Sequence, residues 1–193
     1  MHRREFVTAL GGVGVAGIAG CGAVRGDVTL SAPTVGVDGP GRKYLEWSAD
    51  GDSVADFGVT GTATPEIVDL STELSHRDGT EVNGIELRVW MPEADSATDV
   101  ALVSPVEGDS SPPPSVALYT PERAAGTVID VTDLDDLADE TISTIGLLVR
   151  PSDETATKLA VDATVDLTDG GVLGDDYTLT GELELEYPKL TGG

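Results

Sequence analysis

The side chains in this chain that could do chemistry are one thiol, two imidazoles and a large excess of carboxylates: Cys21, His2 and His76, and 35 aspartates and glutamates among 193 residues. Nucleophilic catalysis needs a base held beside the nucleophile. Past Cys21 the only histidine is His76, in the polar run HRDGTEVNG (His76 to Gly84), which reads as a solvated, turn-rich hairpin connection. A zinc site needs several nitrogen or sulfur ligands, which this chain barely has. The glycines between Ala9 and Gly20 belong to an apolar leader, so no glycine-rich phosphate loop is present.

Carboxylates pose the opposite difficulty, because with so many of them any pair could be named acid and base. Three clusters stand out: Asp50-Gly-Asp52; Asp130 with Asp133, Asp135 and Asp136; and Asp166 and Asp169 followed by Asp175 and Asp176. Calcium gathers about six to eight oxygens from closely spaced loop carboxylates. None of these stretches has EF-hand spacing, and a solvated acidic surface is the plain expectation. No cofactor is expected; if a metal is held, Asp130, Asp133, Asp166 and Asp169 are the weak calcium candidates. A carboxylate-based glycoside hydrolase would need two carboxyls in a cleft lined with aromatics, and aromatics make up only 4 % of the chain. Trp90 is the remaining clue. In Ile85 to Met91 the core face is Ile85, Leu87, Val89 and Met91, which puts Trp90 on the outer face with Glu86 and Arg88. There it could pack under a neighbour or stack on a sugar ring or partner side chain.

The elements that must hold these groups alternate with period two, the pattern of half-buried strands. Leu159, Val161, Ala163, Val165 and Leu167 share one face, as do Tyr177, Leu179, Gly181, Leu183, Leu185 and Tyr187. The Gly- and Asp-rich stretch Thr168 to Asp176 joins these two runs as a hairpin. Further strands are expected around Val28 to Val37, Tyr44 to Trp47, Val54 to Ala63, Ile67 to Leu74, Ile85 to Met91, Val100 to Ser104, Val116 to Thr120, Thr127 to Val131 and Ile142 to Val149. Asp133 to Glu140 is the one helical stretch, capped by Thr132, with Leu134, Leu137 and Ala138 toward the core. SPVEGDSSPPPS (Ser104 to Ser115) reads as a stiff, solvated loop. The fold class is therefore all-β: a single antiparallel β-sandwich over 28–190, immunoglobulin-like or jelly-roll, with roughly 8–10 strands and at most one short helix.

The first 20 residues are unlike the rest. Arg3 and Arg4 precede a glycine-diluted apolar run, Val7 to Ala19, which is too short to span a bilayer. Arg3-Arg4-Glu5-Phe6-Val7 resembles a twin-arginine signal, and Ile18-Ala19-Gly20-Cys21 resembles a lipobox. Residues 1–20 are then a signal peptide, and 21–27 are a lipidated Cys21 with a short tether. The resemblance implies a protein exported folded and lipid-anchored to the outer face of the cell membrane. A lone cysteine allows no intramolecular disulfide, so such a fold rests on core burial.

Net charge is -24, with 11 basic side chains and a pI near 4.1. A surface so acidic repels itself in dilute buffer, and about 1 M salt cuts the screening length to roughly 3 Å. Together with the leader, this composition resembles the twin-arginine-exported lipoproteins of halophilic archaea. A phosphate backbone would be repelled, which excludes nucleic acid as a partner. Val128 to Pro151 also resembles a segment of jelly-roll carbohydrate-binding modules, through Asp130, Thr132, Leu134, Ile142 and Ile145. The sequence thus leads to a non-catalytic binding or structural module, with an unknown cell-surface protein or glycan as partner. The alternative is a carbohydrate-binding module, with or without a stabilising calcium.

Overall fold

The structure is a computed structural model that describes residues 26–39, 41–64, 66–93, 99–107, 115–132, 134, 142–151, 156–170 and 174–186, with backbone only for 99–107 and 142–143. Residues 1–25, which hold the expected export signal, Cys21 and most of its tether, lie outside the described residues, as do Asp133, Asp135, Asp136 and the proline-rich run 108–114.

Alternating sequences become strands throughout. In chain order these are β1 (Asp27–Leu30), β2 (Thr34–Val37), β3 (Arg42–Ala49), β4 (Asp52–Ala63), β5 (Val68–His76), β6 (Thr80–Trp90), β7 (Asp99–Glu107), β8 (Ser115–Tyr119), β9 (Thr127–Thr132), β10 (Ile142–Arg150), β11 (Lys158–Asp169) and β12 (Asp176–Glu186). They form two six-stranded sheets, sheet I in the order β1-β12-β11-β6-β9-β8 and sheet II in the order β2-β3-β4-β5-β10-β7. The inner faces make one core, with Leu45, Trp47, Phe57, Val59 and Leu70 from sheet II against Leu87, Val89, Ile129, Val161, Val165 and Leu183 from sheet I. This is the expected all-β sandwich. The faces read for β11 and, as far as Leu185, for β12 hold, Tyr187 lying outside the described residues, and the two strands pair as the expected hairpin from Lys158↔Glu186 to Thr168↔Asp176.

Several expectations are corrected. The described strands number twelve rather than roughly 8–10: each alternating run forms a strand of its own, and Val28 to Val37 forms two. Ser31, Ala32 and Pro33 break it, proline having no N–H to give a ladder, and the chain crosses there from sheet I to sheet II. As a result β1 pairs with β12 in parallel, Asp27↔Asp176 to Leu30↔Leu179, in a sandwich expected to be antiparallel throughout. HRDGTEVNG is not a hairpin loop either. β5 runs through His76, and Arg77–Gly79 carries the chain across to sheet I, with Gly79 at φ 83. β7 continues to Glu107, into the expected loop. The expected helix Asp133 to Glu140 lies outside the described residues apart from Leu134, which is buried in the core. The Asp50-Gly-Asp52 cluster is a two-residue hairpin turn, with Asp50 at φ 54 and Gly51 at φ 92 between the paired Ala49 and Asp52. Positive φ at both central positions is what a type I′ turn requires.

β1 covers only the first part of the β12 edge. Asp176 donates its N–H to Gly26 on that side, and in an antiparallel ladder with β11 every second residue of β12 keeps it. The uncovered carbonyls of Thr180 and Glu184 are taken by side chains of sheet II: Trp47 Nε1–H donates to Thr180 O at 3.1 Å, and Lys43 Nζ donates to Glu184 O at 2.6 Å. A Cβ on Gly181 would lie 2.8 Å from Leu45 Cδ1 and from Pro33 Cγ, so glycine there lets β3 approach close enough for both bonds. An exposed sheet edge invites strand addition, and here the opposite sheet occupies it.

Candidate functional site

The strand polarity gives the sandwich two ends. The chain enters at Gly26 near Arg77–Gly79 and Asp175, the lower end, and β6 runs from there to Trp90 at the upper end. The outer face of sheet I at this upper end gathers the most varied chemistry among the described residues.

Register builds it row by row. One row crosses five strands: Glu182, Asp162, Arg88, Val128 and Tyr119. The next row down is Thr164, Glu86, Asp130 and Ala117, and the row above holds Ala160 and Trp90. Arg88 Nη2 donates to Asp162 Oδ2 at 2.7 Å, and its guanidinium lies 4.0 Å from the centroid of the Trp90 ring. Such cation–π contacts contribute on the order of 0.5–1 kcal/mol when exposed. Trp90 is half-buried, while Ala160 opposite it is 0 % exposed although both point outward. Val128, beside Arg88 and Tyr119, is likewise buried on this outer face. Above, Lys158 pairs with Glu184 at 2.9 Å, and the Glu93 carboxylate accepts from the Thr157 N–H at 2.7 Å.

Tyr119 OH donates to Glu86 Oε2 at 3.4 Å. Partial desolvation, then the negative charges of Glu86 and Asp130 and the hydrogen bond to Glu86, hold its phenol above the ordinary tyrosine value. A raised folded pKa contributes stability that is present below the unfolded pKa and is lost as pH rises through the folded one. An alkaline titration followed by phenolate absorbance is expected to show a late step above about pH 10. Tyr119→Phe removes that step, and its persistence would assign it to another tyrosine.

The other sequence-derived candidates are scattered. Asp166 accepts from Thr178 Oγ1 at 2.8 Å, Asp169 pairs with Arg77 at 3.1 Å, and Asp130 stands on β9. Among the described residues no three histidine, cysteine, aspartate or glutamate side chains are grouped to hold a metal ion. His76, expected in a solvated turn, is buried, 8 % exposed. Thr80 Oγ1 spends its proton on Arg77 O at 2.7 Å, so the 2.8 Å contact from His76 Nδ1 makes that nitrogen the donor. Burial follows from the alternation of β5, in which Val68, Leu70, Thr72, Leu74 and His76 share the inward face, and this network satisfies the ring nitrogen there. The residues read as an export signal, and Cys21, lie outside the described residues.

A model of the domain of unknown function DUF8121 matches residues 27–189. The chain belongs to this family. No curated protein matches it. Among solved structures, the DUF8121 chain is similar to the collagen-binding domain of a Staphylococcus aureus adhesin at TM-score 0.40 and 11 % identity, covering 66 % of this chain and 95 % of that one. It is similar to the major pilin SpaD of Corynebacterium diphtheriae at TM-score 0.43 and 12 % identity, covering 76 % of this chain but only 46 % of the pilin. A cohesin module of a Clostridium perfringens family 33 glycoside hydrolase gives TM-score 0.37 at 15 % identity, covering 66 % and 93 %. In this DUF8121 domain the outward placement of Glu86, Arg88 and Trp90 was legible from the sequence. Asp162 and Tyr119, which complete the group, come from strands about 75 and 30 residues away, and strand order does not show in alternation.

Proposed function

We propose that this DUF8121 chain is a non-catalytic binding module of a halophile's cell-surface lipoprotein, anchored through lipid on Cys21. Its ligand face is the upper outer face of sheet I. The observation that supports this most is the Trp90–Arg88–Asp162 stack beside Tyr119, an aromatic and guanidinium group on an outward sheet face. Trp, Tyr and Arg are the residues that most often dominate binding energy. The basic leader, the lipobox-like Ile18-Ala19-Gly20-Cys21 and the net charge of -24 support the anchor and the salt-rich setting.

Of the two tryptophans, Trp47 is 1 % exposed and Trp90 is half-buried. Neutral acrylamide, which the protein's charge does not repel, is expected to quench one emission component and spare a blue-shifted one. Trp90→Phe should leave only the spared component. In molar KCl, a ligand of this face raises the melting midpoint by mass action, and Trp90→Ala abolishes that rise. A rise that survives Trp90→Ala places the ligand elsewhere.

A glycan is the second reading, favoured by the donors and acceptors of Asp162, Lys158 and Glu184 around Trp90. A cell-surface glycan panel run with and without calcium tests it.

A further inference from the structure

The Glu86 and Asp130 carboxylates stand directly opposite each other on β6 and β9, pointing to the same outer face. Like charges so placed destabilise a sheet. Several outward carboxylates on these sheets are matched, Asp162 by Arg88, Glu184 by Lys158, Glu73 by Arg42 and Asp169 by Arg77, while Glu46 and Asp56 stand opposite each other on β3 and β4 as a second like pair. Glu86 and Asp130 form no ion pair among the described residues, Arg88 in the next row being turned to Asp162, and the hydroxyl of Tyr119 on Glu86 is a neutral donor. Tyr119 itself is 46 % exposed, and its neighbour Leu118 on the edge strand β8 is 40 % exposed. The fold thus keeps an uncompensated pair of negative charges next to an exposed phenol ring.

We propose that the ligand face takes a basic segment of a partner protein, with an arginine or lysine head over Glu86 and Asp130 and its stem along the Tyr119 ring. The inference rests on the binding-module reading and names its partner. A cation arriving there relieves the repulsion between the two carboxylates, and the phenol supplies a cation–π and apolar contact for the side chain. Charge complementarity acts at two ranges. The net charge of -24 draws any basic partner at low ionic strength, but at about 1 M salt only contact pairs survive, within roughly 3 Å. The Glu86–Asp130 pair, with the 46 % exposed Tyr119 ring hydrogen-bonded to it, is therefore a place where a basic partner keeps an attraction in the salt this surface suits. The face favours this over a sugar because Arg88, fixed by Asp162, already lies over one face of the Trp90 ring.

The test uses the full chain and an acetylated, amidated hexa-arginine peptide as probe, titrated calorimetrically at low and molar KCl. Glu86→Gln/Asp130→Asn is compared with Glu66→Gln/Asp69→Asn, which changes net charge equally on exposed positions of the other sheet's side. The first double variant is expected to weaken binding about tenfold in molar KCl, and the second less than about twofold. Without peptide, both should raise the melting midpoint at low salt, because each removes two charges from a self-repelling surface, and the first should raise it more, because it also removes a directly opposed pair. Equal weakening by both variants overturns the proposal, since the peptide then reads net charge alone. Unchanged binding in the first variant, with a Trp90-dependent response to a glycan, also overturns it but leaves the binding face standing. If neither Trp90→Ala nor the first double variant affects any ligand, the binding-face reading falls as well.

Discussion

Replacing Trp47 with alanine is expected to lower the unfolding free energy by about 4 kcal/mol, the range for emptying a tryptophan-sized core position. The ring is 1 % exposed between Leu45 on its own strand and Gly181 across the sheets. The substitution also leaves Thr180 O, the acceptor of its indole N–H, to find water at a pinched edge. A domain of ordinary stability holds only about 5–15 kcal/mol in all, so the variant should be measurably unfolded well below the wild-type denaturation midpoint. Denaturant titration in molar KCl, followed by far-ultraviolet circular dichroism, measures the difference. Trp47→Phe separates the contributions. It keeps most of the apolar volume and loses the donor, and is expected to cost about 1–2 kcal/mol. A loss under about 1 kcal/mol for the alanine variant would show that the indole does not join the sheets.

Gly126→Ala is the second large effect, expected at about 3 kcal/mol. Gly126 sits at φ 100, a region that costs a side-chain-bearing residue about 1–3 kcal/mol. The clash is with backbone: the new Cβ would meet Val89 O, and would lie 2.6 Å from Trp90 Cβ. A carbonyl engaged in the sheet cannot turn away as a long side chain can. The strand end that presents Trp90 must therefore move, and the acrylamide-quenched emission should shift along with the midpoint. Gly51→Ala, at φ 92 with nothing near its absent Cβ, is the control: it carries backbone strain alone and leaves Trp90 emission unchanged. Should Gly126→Ala leave that emission untouched too, the β8–β9 turn does not support the ligand face.

Alternation made the faces of β6, β11 and β12 readable, because a buried sheet face admits little but apolar side chains at every second position. It put Trp90 outward and Tyr177, Leu179, Leu183 and Leu185 inward, as found. Period two says nothing of which strand lies beside which. Arg88 meets Asp162 on one side and Val128 on the other only because β6 lies between β11 and β9. The break at Ser31 to Pro33 left a weak trace in Pro33, whereas the sheet change it marks is a long-range event. His76 misled for a related reason. Its neighbours in sequence are polar, yet the strand carries it inward, and hydrogen bonding to Thr80 makes the burial tolerable.

The parallel pairing of β1 with β12 has a mechanical meaning. The chain enters at the lower end through β1, while Trp90 and Tyr119 stand at the other end of a sheet whose strand β12, 11 residues long, measures about 36 Å at roughly 3.3 Å per residue. A load applied at that far end and resisted at the entry runs along the strand axes. β1 is then dragged lengthwise against β12, and its hydrogen bonds, lying across the pull, share the load and must yield together. A strand peeled from its edge would give them up one at a time. Four residues pulled in shear thus resist such a load as one unit.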